Sequence, residues 1–409
     1  MIAHLTCKAV SDNPMITVPG SKSESNRLLI LKGIFPNLSI DNLSNSDDTI
    51  SLEKGIKQVD GIVDVHHAGT AMRFLTAYFA SKEGANIIIT GSKRMQERPI
   101  KILVDALNDL GADIQYLKNE GFPPLKIIGK DLNVSSVTLN ANISSQYISA
   151  LMLISPSLKN GLTINLEGEI TSVPYIKMTL NLMQKAGILG SFNSNKIQIK
   201  PINSIDSNVL NVESDWSSAS YYYSIIALSS KLEVTLNNYT KNSIQGDSKI
   251  ISIFQKLGVE TIFNEHDNSI CLRKVKKEIS DYLSLNLNDT PDIAQTIAVT
   301  CFGLGIHCKL EGLRTLKIKE TDRLLALKTE LEKLGATVVI TDQSLEVFRS
   351  KEIIENITIE TYQDHRMAMA FVPLVFKVPI NILEPNVVTK SYATFWEDLV
   401  KTGVEVELK

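Results

Sequence analysis

The sequence is short of the features that most quickly assign a chain. Cysteine is scarce: Cys7, Cys271, Cys301 and Cys308 are the only four in 409 residues, and no two of them form a CxxC pair. That argues against a zinc ribbon or a redox dithiol, and buried free thiols are the expectation. Neither sign of charge is in excess, since 42 Lys and Arg against 45 Asp and Glu leave a net charge of −3. Such a chain has no general attraction to nucleic acid or to an anionic membrane, so any anion site must be local. No long apolar run is present. The longest, IAVTCFGLGI at 297–306, falls well short of the ~20 residues that span a bilayer. The opening MIAHLTCKAV lacks the apolar stretch of a signal peptide. A cytoplasmic protein with no nucleic-acid partner and no membrane partner is expected. HExxH is missing, and His66 and His67 have no further histidine or carboxylate at ligand spacing, so no metal is expected. P-loop and GxGxxG patterns are also missing, which removes support for nucleotide binding through those loops.

What is present is periodic. Helical patterns that end in glycine and continue as a strand recur at LVDALNDLGADIQYL, LNLMQKAGILGSF, IISIFQKLGVETIF, LALKTELEKLGATVVI and DLVKTGVEVEL. Their glycines, Gly111, Gly187, Gly258, Gly335 and Gly403, stand roughly 70 residues apart, and a weaker first copy places Gly61 about 50 residues before Gly111. A second series of helix starts, near Ser23, Thr70, Ser144, Asp215, Pro291 and His365, keeps step with the first. Strand-like runs such as NIIIT and LTINL separate the two helices of each copy. The pattern predicts an α/β fold of six copies. A break near VESDWSSAS divides them into two similar domains, 20–213 and 1–19 with 214–409, with a ligand expected in the cleft between them. KVKKE at 274–278 reads as a solvated strand edge.

The unusual polar residues collect at the predicted helix starts. In PGSKSESNR, Ser21 and Glu24 have capping-box spacing ahead of an apolar run, so Lys22 and Arg27 join free N–H groups at the positive end of a helix. An ordinary capped surface helix would read the same way. Counting onward, Arg73, Arg98, Lys319, Arg323, Arg366 and Lys390 also lie at or near such starts, which favours a substrate with several anionic groups. In KIKETDR, Lys319 and Arg323 have i,i+4 spacing with Glu320 beside them, either as an ion-paired helix start or as part of a cationic site. Asp292 follows Pro291 and suits helix capping. If it shares a cationic cleft with Glu320, the two form an acid–base pair.

In order, PGSKSESNR, AGTAMR, ERPI, SSQY, PDIAQTIA, KETDR and DHRMAMA resemble the EPSP synthase family, from about residue 14 to about residue 396. The resemblance implies the enolpyruvyl transferase fold, an inside-out α/β barrel of two domains, each of three βαβαββ units. It also implies transfer of the enolpyruvyl group of phosphoenolpyruvate to the 5-hydroxyl of shikimate 3-phosphate, in the pathway to chorismate and aromatic amino acids. No cofactor is implied, a monomer is expected, and glyphosate would occupy the phosphoenolpyruvate site. Carried over residue by residue, Lys22, Ser23, Arg27, Ser144, Ser145, Gln146, Ser172, Asp292 and Lys319 would hold shikimate 3-phosphate. Lys22, Gly69, Arg98, Gln146, Arg323, Arg366 and Lys390 would surround phosphoenolpyruvate. Asp292, Glu320 and Lys22 would be catalytic, Asp292 as the base near the 5-hydroxyl and Glu320 as the group that protonates the methylene carbon.

The chain departs from the family pattern at His67, usually asparagine, at Phe74, usually proline, and at Thr315, often a substrate-contacting asparagine. The first repeat is also short, so it should lack a strand pair or carry a clipped helix. The related UDP-N-acetylglucosamine enolpyruvyl transferases share the fold and donor but carry a reactive loop cysteine, and no cysteine here lies in the stretch before ERPI. A non-catalytic anion-binding relative would not need both Asp292 and Glu320.

Overall fold

A computed structural model describes residues 1–8, 11, 13–140, 144–168, 170, 173–350 and 352–409. The chain forms two compact units, one of Gly20–Val212 and one of Met1–Pro19 with Glu213–Lys409. In the first unit the helices are α1 (Lys22–Ile34), α2 (Asp47–Ile56), α3 (Gly69–Ser81), α4 (Lys101–Asp109), α5 (Ser145–Ile154) and α6 (Val173–Lys185). In the second they are α7 (Trp216–Leu228), α8 (Ile250–Lys256), α9 (Ala294–Leu304), α10 (Arg323–Lys333), α11 (His365–Phe371) and α12 (Phe395–Val400).

Odd and even helices have different jobs. Throughout α7 every residue is buried, and in α3 only the last, Ser81, is not. Helices apolar on all sides belong inside: α1, α3 and α5 pack on one another in one unit, and α9 packs on both α7 and α11 in the other. The even helices bury a stripe and expose the rest, as in α4, where Leu103, Val104, Ala106 and Leu107 face inward. Small sheets flank the helices. The second repeat shows the pattern: Asp60–Asp64 runs parallel to Asn86–Thr90, and the hairpin Asp113–Tyr116 and Leu125–Ile128 closes the sheet antiparallel. Ile87 and Ile89 point from the middle strand into the core while Asn86 faces solvent.

The repeat-ending glycines are where chain reversal demands them. Gly111, Gly187, Gly258, Gly335 and Gly403 all have positive φ, from +81° to +101°, just past α4, α6, α8, α10 and α12. Gly61 is different. Its φ is +98°, but α2 has already ended at Ile56 and Gly61 lies inside the next strand. Among the described residues the first repeat has only the parallel pair Leu38–Asp41 and Asn208–Asn211, so it is the antiparallel hairpin that is missing, while α2 is a complete ten-residue helix.

Two repeats exchange their first strands. Met15–Ile16 precedes α1 in sequence but pairs with Glu233–Asn237, which follows α7. Asn208–Asn211 precedes α7 but pairs with Leu38–Asp41, which follows α1. The N-terminal strand Ile2–Cys7 then lies between Ile380–Leu383 and Val404–Leu408, completing the last sheet. The KVKKE stretch corrects its sequence reading at Lys274, whose Nζ donates to the Ala227 and Ser229 carbonyls at 2.9 and 2.6 Å and so satisfies the end of α7. No helix among the described residues is long and apolar enough to cross a membrane.

Candidate active site

In the Gly20–Val212 unit the inner helices start beside one another. Ser21 caps α1 by accepting from the Glu24 amide at 3.5 Å. Lys22 and Ser23 occupy the first turn, and Lys22 Nζ lies 3.7 Å from Asp48 in the first turn of α2. One turn deeper, Arg27 is buried. Its Nε donates to Thr179 Oγ1 at 2.7 Å, Nη2 to Ser149 Oγ at 3.0 Å and Nη1 to the Ser23 carbonyl at 2.8 Å. These partners are neutral, and the Phe74 and Tyr175 rings flank the guanidinium at 5.5 and 5.8 Å. Burial therefore pulls the Arg27 pKa down to about 10 against the opposing pull of Tyr175 and Glu24, which still leaves a cation at neutral pH. Phe74, one of the departures from the family pattern, is thus a buried ring against Arg27.

Gly69 opens α3, and its carbonyl accepts from Arg73 Nη1 at 2.7 Å. A Cβ at Gly69 would stand 2.6 Å from Arg98 Nη1 and 3.0 Å from Arg73 Nη1, so both guanidinium groups close in on this backbone. Gln146 Nε2 donates to Thr70 Oγ1 at 3.1 Å, and the neighbouring Tyr147 hydroxyl donates to the Pro99 carbonyl at 2.6 Å, tying α5 to the loop that bears Arg98. Ser144 caps α5 by accepting from the Gln146 amide at 3.4 Å, with Ser145 buried beside it. Ser172 lies outside the described residues. His67, the second departure, has Nε2 3.6 Å from Asp47.

The other unit gathers its residues around one guanidinium. Arg323, at the start of α10 and 2% exposed, donates from Nε to Asp364 at 2.7 Å, from Nη1 to Asp292 at 3.0 Å and from Nη2 to Glu320 at 2.9 Å. Burial is the largest single influence on Arg323 and lowers its pKa, but Asp364, Glu320 and Asp292 together hold it above the ordinary value. Asp292 Oδ1 also lies 3.5 Å from Lys319 Nζ, and Oδ2 lies 3.5 Å from Arg366 Nη2. Burial lowers the Lys319 pKa, partly offset by Asp292. Lys390 donates to the Gln363 carbonyl at 2.6 Å, next to Asp364, which in turn caps α11 through the Arg366 amide at 2.9 Å.

Lys319, Glu320, Arg323, Asp292, Arg366 and Lys390 therefore come together, but two local expectations change. Lys319 and Arg323 do not share a helical face, because Asp322 caps α10 by accepting from the Leu324 and Leu325 amides, leaving Lys319 and Glu320 in the turn before it. Asp292 is not the N-cap of its short turn, a place taken by Thr290; its oxygens face three cations. Sequence reasoning also missed Asp364, inside a motif noted only for its arginine, and Asp48 and Asp247, which no motif marks. The Thr315 hydroxyl, at the third departure, is buried without a hydrogen-bond partner among the described residues.

A cation-rich set and an acid pair on one guanidinium suit chemistry on a polyanionic substrate with proton transfer. Comparison with known proteins agrees with that class. The sequence profile of EPSP synthase (3-phosphoshikimate 1-carboxyvinyltransferase) matches residues 39–399. A Bacteroides fragilis protein named 3-phosphoshikimate 1-carboxyvinyltransferase is 45% identical over 403 residues, covering 96% of each chain. A Haemophilus influenzae protein of the same name is 36% identical over 422 residues, covering 94% of this chain and 95% of its own. The solved EPSP synthase of Acinetobacter baumannii superposes with a TM-score of 0.80 over the whole of both chains at 19% identity, a likeness of fold. By profile and by identity over nearly its full length, the chain belongs to the EPSP synthase (3-phosphoshikimate 1-carboxyvinyltransferase) family.

Proposed function

We propose that this chain transfers the enolpyruvyl group of phosphoenolpyruvate to the 5-hydroxyl of shikimate 3-phosphate, giving 5-enolpyruvylshikimate 3-phosphate and phosphate. The observation that carries the reading is the placement of both candidate acids, Asp292 and Glu320, on the one buried guanidinium of Arg323. Ser23, Arg27, Ser144, Ser145, Gln146, Ser172 and Lys319 hold shikimate 3-phosphate. Lys22, Gly69, Arg98, Gln146, Arg323, Arg366 and Lys390 surround phosphoenolpyruvate. Arginine forks suit its carboxylate or phosphate, and lysines supply point contacts to phosphate.

In the addition step the 5-hydroxyl oxygen bonds to C2 of phosphoenolpyruvate while C3 takes a proton. Asp292 accepts the hydroxyl proton, its oxygens facing Lys319, Arg323 and Arg366. Glu320 delivers the proton to C3. Arg323 donates to Glu320 Oε2 and so fixes the carboxyl group for that transfer. In the elimination step the C2–O bond to phosphate breaks, Glu320 takes a proton back from C3, and the proton on Asp292 leaves with phosphate. Fixed cations stabilise the charge that builds on the departing phosphate. Every proton is accounted for by these two acids, so the scheme calls on no cofactor.

The test is phosphate release from phosphoenolpyruvate with either shikimate 3-phosphate or UDP-N-acetylglucosamine as acceptor. Release with the first alone is expected, and release with the second alone would overturn the reading. Glu320→Gln and Asp292→Asn should each keep shikimate 3-phosphate binding while losing about 100-fold or more in turnover. Near-normal turnover in both at saturating substrate would remove the acid–base assignment.

A further inference from the structure

Asp247 has no part in the scheme above, yet the Asp292 carboxylate acts on it electrostatically. It lies in the short turn Gly246–Lys249 that leads into α8, and it is 5% exposed. Its Oδ2 accepts from the Ser217 hydroxyl in the first turn of α7, and its Oδ1 is buried with no hydrogen-bond partner among the described residues. A buried carboxylate with so few bonds is costly to keep, so its retention needs a reason. Burial first, and the Asp292 carboxylate second, push it up to about 7; Asp215 adds to the rise, while Arg366 and Ser217 oppose it.

The direction of the contacts supplies the reason. Ser217 has a single hydroxyl proton and gives it to Asp247, so its oxygen is left to accept, and Arg366 Nη2 stands 3.3 Å away. On its other side Arg366 Nη1 donates to the Asp292 main-chain oxygen at 3.0 Å. Arg366 is thereby clamped between the Asp292 turn and a directed chain ending on Asp247. We propose that Asp247 is a positioning residue for the enolpyruvyl donor: acting through the Ser217 hydroxyl, it fixes the orientation in which Arg366 receives the phosphoenolpyruvate anion. The proposal rests on the reading of Arg366 as a phosphoenolpyruvate contact.

Steady-state kinetics of the full chain test it. Ser217→Ala should raise KM for phosphoenolpyruvate about tenfold, the consequence of losing one hydrogen bond to a charged group, while KM for shikimate 3-phosphate stays within about twofold. Asp247→Ala should do the same, and the double variant should be no worse than the weaker single, because both changes break one chain. Ser217→Thr, which keeps a hydroxyl, should recover most of the loss. A merely structural role would move both KM values and the folded fraction together. Ser217→Ala leaves Asp247 in place, so the test stands even if Asp247→Ala does not fold. Unchanged phosphoenolpyruvate KM in Ser217→Ala, or additive losses in the double variant, would overturn the proposal. Arg366→Lys separates the two readings: if it raises that KM and Ser217→Ala does not, this proposal alone fails, whereas a normal KM in Arg366→Lys removes the Arg366 assignment and this proposal with it.

Discussion

At Gly69 the lack of a side chain bears directly on selectivity between donor and inhibitor. An alanine Cβ would lie 2.6 Å from Arg98 Nη1 and 3.0 Å from Arg73 Nη1, which are the far ends of flexible side chains. Gly69→Ala should therefore fold, with the Arg98 guanidinium displaced. Glyphosate, expected in the phosphoenolpyruvate site and competitive with it, is longer than the substrate and has less room to adjust. We expect the variant to raise KM for phosphoenolpyruvate and to weaken glyphosate further, within the ~1–3 kcal/mol usual for overpacking. Inhibition curves for both proteins at matched substrate saturation check this; equal sensitivity would mean that Gly69 does not line the donor site.

Among the elements, α10 shows how one cap sets up chemistry. Asp322 Oδ1 accepts from the Leu324 and Leu325 amides at 3.1 and 3.2 Å, which starts the helix at Arg323. The preceding turn then carries Lys319 to Asp292 and Glu320 to Arg323. Removing the cap in Asp322→Ala should cost about 1 kcal/mol of stability. Turnover should fall by a larger factor than that loss implies, because Lys319 and Glu320 lose the fixed end of their turn. Asp322→Asn, which can still accept, should restore most of both. Chemical denaturation and kcat on the three proteins measure the two effects, and a kcat unchanged in Asp322→Ala would show that the turn is held by its ion pairs alone.

For the whole molecule, the division of labour is the main fact. Lys22, Ser23, Arg27, Gly69, Arg98 and Gln146 belong to the Gly20–Val212 unit, whereas Asp292, Lys319, Glu320, Arg323, Arg366 and Lys390 belong to the other. If the two substrates take groups from both sets, as proposed, binding should draw the units together. Small-angle scattering should accordingly give a smaller radius of gyration with shikimate 3-phosphate and glyphosate than without ligands. An identical radius would count against closure.

Local signals were legible without the fold. Ser21 before Glu24, and the glycines at the ends of α4, α6, α8, α10 and α12, act on backbone groups a few residues away, so sequence spacing alone located them and the repeat they mark. The motif residues came with the family resemblance, and the shortened first repeat could be read from its spacing. The partners of Arg323 could not, because Asp292 and Asp364 lie 31 and 41 positions away and meet it only when three repeat segments fold onto one another. The exchange of first strands was equally hidden, since each strand pairs with a partner more than 160 positions away that its own sequence does not mark. Asp247 was the least visible of all. Nothing near it in sequence marks it, and its place beside Ser217 and Arg366 arises entirely from tertiary contacts 30 and more residues apart.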